Sequence, residues 1–282
     1  MSDTRAARPA FRIKWWVVTQ YALLALVFLF FAFPLLWTLT LSLKADADAA
    51  ALPPKWVFAP TLVQYQNLLA NWPFFTFYRN SLIVVGGALL ISTALAIPLA
   101  YSLARFRWRR EGDISFFLVS QLMLPPAAIV IPVYLIDQRL GILGTLWAPM
   151  LIYIVIALPF IAWIMKGFFE NTAVEIEEAA LVDGAGRYQV VWFIVLPLAL
   201  GSLGSTVMLA AIIVWNEFFF AFILTNVTTY TAPVAILGLW TQYQVYWGQI
   251  AAGGVMLSLP IIVVGLLVQR SLVWGLTLGA VK

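Results

Sequence analysis

Four acidic residues, Glu175, Glu177, Glu178 and Asp183, cluster in a polar interval between two long apolar segments, in the stretch EIEEAALVDGAGRYQVVWFIVLP (175–197). The chain has no histidine and no cysteine. The usual general base, the commonest metal ligand, thiolate metal sites and disulfides are therefore absent. Carboxylates in such company are suited to accepting hydrogen bonds or pairing with a cation. A second place where a carboxylate could act is Trp215-Asn216-Glu217-Phe218, where one acid stands alone in an apolar stretch. No GxxxxGK[ST] pattern occurs, so the chain is not expected to bind ATP through a P-loop of its own.

The elements that must position the acidic cluster can be read from its neighbours. Thr172 followed three residues later by Glu175 predicts a capping box and a short helix. Ala179 and Ala180 keep the helix surface low, so that another backbone can approach. Gly184 and Gly186 permit φ > 0 and a sharp reversal. Val190, Val191, Phe193 and Ile194 then form an apolar run expected to stop at Pro197. The expectation is a helix, a glycine turn and a second amphipathic stretch outside the bilayer, with Glu177 on a solvated face and Asp183 stabilising the turn.

The rest of the chain belongs in a membrane. Of 282 residues, 63% are hydrophobic and only 10% charged, with a mean hydropathy of +0.97. Apolar runs of about twenty residues at such composition are spans. The first apolar run is too long for a cleavable signal peptide. Six spans are expected: Trp15 to about Leu43, Asn80 to Ala104, Ile114 to Ile136 (interrupted by Pro125, Pro126 and Pro132), Leu146 to Met165, Leu198 to Leu224, and Gln249 to Val268. This divides the chain into an N-terminal arm (1–14), a six-span domain (15–270) with its polar loop at 166–197, and a tail (271–282). With both termini on one side, that side carries twelve Lys and Arg: Arg5, Arg8, Arg12, Lys14, Arg105, Arg107, Arg109, Arg110, Lys166, Arg187, Arg270 and Lys282. The other carries only Lys44, Lys55, Arg79 and Arg139. The positive-inside rule then puts both termini and the acidic loop in the cytoplasm. A nucleic-acid reading of the arginines at 105–110 yields to this simpler topology signal.

Glu178-Ala179-Ala180, Asp183-Gly184-Ala185 and Ile194-x-Leu196-Pro197 resemble the EAA loop of permease subunits of binding-protein-dependent ABC importers. One departure is Thr172-Ala173, where that family often has Ile-Pro. The resemblance implies an all-α membrane protein of six transmembrane helices, with a cytoplasmic coupling helix between spans four and five. It implies that this helix sits in a cleft of a separate ATPase, with Glu178, Ala179, Ala180, Asp183, Gly184 and Arg187 as the ATPase-coupling residues, Asp183 through the glycine turn rather than by touching the partner. A charge-assisted pair made there by Glu178 would contribute about 1.5–3 kcal/mol if partly buried.

The Asn216-Glu217 pair resembles the WNEF element of carbohydrate-type permeases. A carboxylate at membrane depth should face a cavity or partner. It reads either as part of the translocation path or gate, or as an inter-subunit hydrogen bond. Gly201 and Ser205 allow the same span to pack closely on a neighbour. In the third span, Gln121 and Tyr134 could hydrogen-bond a hydroxylated solute beside the kinking prolines, although plain kinking is the simpler account. Tyr243, Tyr246 and Trp247 resemble the outer segment that meets the solute-binding protein, with Tyr246 where an acid is usual. Gly275-Leu-Thr-Leu-Gly-Ala-Val-Lys282 is similar to the tail of maltose-transporter-type permeases.

The resemblance runs nearly end to end and implies a permease of a bacterial inner membrane importing a sugar or sugar derivative. Its partners would be a second permease, two ATPase subunits holding ATP and Mg, and a periplasmic or lipid-anchored solute-binding protein. This chain itself would carry no cofactor and meet membrane lipid but no nucleic acid. A permease for a non-sugar solute, an integral membrane enzyme and a passive channel are the alternatives. The enzyme reading lacks paired acids at membrane depth, and a channel would need no EAA loop.

Overall fold

The computed structural model describes residues 15–106, 108–241 and 244–277, with side chains as far as residue 266. Within them the regular structure is helical apart from one antiparallel bridge between Trp240 and Val245. In chain order the helices are α1 (Trp15–Ser42), α2 (Asp46–Ala49), α3 (Val63–Asn71), α4 (Phe74–Arg105), α5 (Glu111–Met123), α6 (Pro126–Leu140) and α7 (Trp147–Glu170). They continue with α8 (Val174–Val182), α9 (Arg187–Val190), a π-helical turn (Val191–Val195), α10 (Leu196–Trp215), α11 (Phe219–Leu224), α12 (Ala232–Leu237) and α13 (Trp247–Thr277).

Among the described residues, five helical stretches are long and apolar enough to cross a bilayer: α1, α4, α7, the continuous run Arg187–Trp215, and α13. The expected third span is a bent pair, with α5 and α6 meeting at 98°. The reason is local. A residue preceding proline is pushed out of the α region, and both Leu124 (ψ 124°) and Pro125 (ψ 128°) are extended. Counted as one broken span, the pair brings the total to six.

The fifth span differs from its expected bounds of Leu198 to Leu224. It begins at Arg187 and ends at Trp215. Pro197 does not stop the helix, because the π turn immediately before it changes the carbonyl register that its ring would otherwise meet. The span ends instead at Asn216-Glu217-Phe218, and α11 follows as a separate short helix. The second span also starts earlier than expected, at Phe74, and the fourth extends to Glu170.

The centre of the bundle is α4 against α7. Ala88, Ser92, Ala96 and Ala100 recur every fourth residue and are all buried, forming a low stripe along α4. Ala148, Ala157 and Ala162 of α7 are buried as well. Without a hydrophobic force between helices in lipid, such small residues let backbones approach and gain dispersion contacts. The Ser92 hydroxyl donates to the Ile154 carbonyl of α7 at 3.4 Å. On the other flank α13 packs against α1 and α10. α1 is apolar all round and exposes most of its side chains.

The two ends of the bundle differ. One gathers the end of α4, the start of α5, the end of α7 and the whole of α8. There Lys166 pairs with Glu111 at 2.9 Å and Glu170 at 3.2 Å. At the other end, Asn80 Nδ2 donates to the carbonyls of Thr228 (3.2 Å) and Tyr230 (3.1 Å), and the Ala232 N–H donates to Ser81 Oγ (2.8 Å).

Candidate functional site

The acidic cluster forms the short helix α8 at the first of these ends. Its start is not the capping box expected of Thr172 and Glu175. Ala173 is the N-cap and gives no side-chain cap, while the Thr172 hydroxyl donates back to the Phe168 carbonyl at 3.0 Å. Thr172 is one residue too early, still attached to the last turn of α7. The end of α8 follows expectation. Gly184 has φ +88°, its N–H donates to the Leu181 carbonyl at 3.1 Å, and the Ala185 N–H donates to the Ala180 carbonyl at 3.0 Å. This double closure is a Schellman motif, which needs a residue at ease in the left-handed region. Asp183 takes part as the C-cap through its backbone, with its side chain in solvent.

The helix has two unlike faces. Glu178, Ala179, Asp183, Gly184 and Arg187 are exposed, and Ala180 is half-buried against the main core. The exposed surface also carries Val182 (87% exposed) and Tyr188 (74%), large apolar groups for a segment ringed by acids. Arg187 stacks its guanidinium over the Phe106 ring at 5.2 Å.

Glu177 is not on a solvated face. It is 5% exposed. Its Oε2 accepts the Tyr101 hydroxyl at 2.7 Å, and its Oε1 accepts Arg105 Nε at 2.8 Å. Arg105 Nη2 lies 2.7 Å from the same Oε1 and also donates to the Thr172 carbonyl at 3.0 Å. Sequence reasoning misses this cluster. The available signal is the helical offset, since Glu177 and Ala180 are three apart and share a face, whereas Glu178 is turned about 100° away from Glu177.

The other expected positions fall as follows. Glu217 lies in the break between α10 and α11. Its carboxylate accepts the N–H groups of Phe220 (3.0 Å) and Ala221 (3.3 Å), capping α11, and its carbonyl accepts the Tyr153 hydroxyl at 3.0 Å. Asn216 is exposed and bonds back to the Ile212 carbonyl at 2.8 Å. The Ser205 hydroxyl donates back to the Gly201 carbonyl at 2.9 Å, and a Cβ added at Gly201 would meet no other element of this chain within 4 Å. Gln121, at the end of α5, is half-buried; Tyr134, in α6, packs on the main core across the bend. At the far end Tyr246 is half-buried, and Trp247 is exposed beside Trp240, ring centroids 6.2 Å apart. Tyr243, the residues of the N-terminal arm and 278–282 of the tail lie outside the described residues.

A multi-span helical bundle with an exposed acidic helix between its fourth and fifth spans has the architecture of a transport permease. Residues 93–273 match the model of the binding-protein-dependent transport system inner membrane component, and the chain belongs to that family. It is 31% identical to the diacetylchitobiose uptake system permease DasC of Streptomyces coelicolor, over 91% of this chain and 94% of that one. It is 30% identical to the trehalose/maltose transport system permease MalG of Thermococcus litoralis, over 89% and 91%. Among solved structures, it superposes with a TM-score of 0.76 on a chain of a bacterial ABC transporter importing the acidic polysaccharide alginate, at 23% identity over 94% of this chain and 99% of that one.

Proposed function

We propose that the chain is the membrane-spanning permease of an ATP-driven sugar importer, working by alternating access with α8 as its coupling helix. It would pair with a second permease, take its drive from two ATPase subunits that hold ATP and Mg, and receive solute from a binding protein at the opposite end. Both termini and α8 would then face the cytoplasm, as the twelve-to-four division of basic residues favours. The single observation that carries the reading is the exposed face of α8: Glu178, Ala179 and Asp183 beside uncovered Val182, at the end of the bundle. Exposed apolar side chains rimmed by charge suit a protein partner, and the low alanine surface suits a cleft. The sugar class is supported by the relatives that carry diacetylchitobiose and trehalose or maltose. Glu217, Asn216, Gln121 and Tyr134 remain candidates for the path, and Tyr243, Tyr246 and Trp247 for the binding-protein contact.

The test has two parts. Purification of the tagged chain in mild detergent, with mass identification of what accompanies it, should yield a P-loop ATPase and a second permease. Vesicles loaded with ATP should then accumulate at least one of maltose, trehalose or diacetylchitobiose, and stop when ATP is depleted. A chain that purifies alone, or flux that continues without ATP, would sink the reading.

A further inference from the structure

The cluster of Tyr101, Arg105 and Glu177 joins two parts of the molecule that otherwise barely meet. α8 is covalently tethered to α7 by residues 171–173 and to α9 by the glycine turn. Its backbone does not pack closely on α4. The space between them is crossed by long side chains. Tyr101 and Arg105 are four apart and so share one face of the last turns of α4. Glu177 reaches them from α8, and both of its oxygens are satisfied: Oε2 by the Tyr101 hydroxyl (2.7 Å), Oε1 by Arg105 Nε (2.8 Å) and Nη2 (2.7 Å). Arg105 Nη2 also holds the Thr172 carbonyl just ahead of α8 (3.0 Å), so α8 is gripped at its start and in its middle. The pair is nearly dry, its side chains 10% and 6% exposed. The Tyr101 ring is fixed in turn by an edge-on contact with fully buried Phe169, centroids 5.8 Å apart at 81°.

We propose that this three-residue clamp makes α4 the output arm of the coupling helix, with Tyr101, Arg105 and Glu177 as positioning residues for energy coupling. The inference rests on the reading of α8 as the helix that meets the ATPase. A push on the exposed face of α8 can leave it by three routes, one of them the short 171–173 link to α7, which the Arg105 Nη2 contact to the Thr172 carbonyl ties to α4 as well. The route to α10 passes through Gly184 and Gly186 and then a π turn, each a compliant joint. The route to α4 passes through a water-poor ion pair, two guanidinium nitrogens on one carboxylate oxygen, into a 32-residue helix whose small-residue stripe lies along α7. The clamp braces both that link and the middle of α8, so the displacement reaches α4 through it and moves α4 together with α7.

The absence of cysteine makes the test clean when the chain is labelled before assembly with its partners, because two introduced cysteines are then the only labelling sites. Leu82, on α4, and Ile262, on α13, are both exposed and serve as spin-label positions as L82C and I262C. In the assembled complex with its ATPase subunits, the label-to-label distance is measured by electron double resonance, before and after trapping with ATP and vanadate. With the native clamp the distance shifts on trapping. With Glu177→Gln or Arg105→Gln the ATPase still co-purifies and hydrolyses ATP, but the shift is lost. Should a single variant fail to fold, the double variant Arg105→Gln/Glu177→Gln leaves no unpaired buried charge and gives the same readout. A shift that persists in these variants, or one that is absent with the native clamp, overturns the proposal. Glu178→Lys separates the two ideas. If it leaves co-purification and ATP hydrolysis untouched, α8 is not the ATPase contact and the underlying reading fails. If it uncouples while the clamp variants do not, the clamp alone is wrong.

Discussion

The indole N–H of Trp215 donates to the main-chain carbonyl of Leu257 at 3.0 Å, pinning the last turn of α10 to the middle of α13. Trp215 is 5% exposed and also meets the ring of Tyr78 edge-on at 5.9 Å. One side chain thus links α4, α10 and α13. Trp215→Phe removes the donor and trims the buried ring, and should cost about 1–3 kcal/mol, read as a lowered melting point in detergent. Trp215→Ala should cost roughly 3–5 kcal/mol.

Glu217 has a structural task that distinguishes two ways of losing it. Its carboxylate supplies acceptors to the free N–H groups at the start of α11. Glu217→Gln keeps one acceptor oxygen and should retain thermal stability within about 0.5 kcal/mol, whereas Glu217→Ala should lose about 0.5–2 kcal/mol, as for other capping groups. Uptake abolished by Glu217→Gln at unchanged stability would mean that the charge itself serves transport.

At Gly184 the constraint is backbone geometry, not space, since an added Cβ would meet nothing within 4 Å of this chain and φ is +88°. Gly184→Asn should cost less than Gly184→Val, because asparagine tolerates the left-handed region and valine does not. The cost for valine should be about 1–2 kcal/mol or more. Gly184→Asp should leave the subunit in the membrane yet uncouple ATP hydrolysis from uptake, because a side chain would then stand where the proposed ATPase contact needs a close approach. Import at the native rate would refute that role.

Gly248 presents the opposite case. A Cβ there would lie 2.3 Å from Gln64 Cδ. Gln64 is fully buried, and its Nε2 donates to the Lys44 carbonyl (2.9 Å) and Asp46 Oδ1 (2.8 Å). Gly248→Ala should displace Gln64, cost roughly 1–3 kcal/mol by overpacking, and loosen the segment from Lys44 to Asn71. Faster limited proteolysis within that segment, with the rest of the chain unchanged, is the expected outcome.

The spans are legible in the sequence because hydropathy over about twenty residues is a collective signal. Their joints are less so. Pro125 and Pro126 announce the break they cause, whereas Pro197 gives the same signal and is absorbed by a π turn that no residue of Val191–Val195 advertises. The end of the fifth span at Trp215 turns on a carboxylate that caps the next helix, which hydropathy does not register. At the acidic helix, the exposed positions from Glu178 to Gly184 follow from local pattern, being a matter of one helix and one turn. The burial of Glu177 does not, because its partner Arg105 is 72 residues away in the chain. Thr172 shows how a capping pattern fails by one residue when the preceding helix extends further than its hydropathy suggests.

The bend between α5 and α6 has an uneven hydrogen-bonding character. A helix ordinarily begins with four N–H groups in want of partners. Here two consecutive residues at that start, Pro125 and Pro126, have no N–H at all, and the Ala128 N–H is satisfied by the Pro125 carbonyl at 2.9 Å. The end of α5 still offers carbonyl oxygens, at roughly 20 Å along the helix axis from Glu111. The break is therefore a one-sided polar surface in an apolar setting: rich in lone pairs, poor in protons to give. Groups that donate, such as water or a hydroxyl, are welcome at such a place, and anions are not.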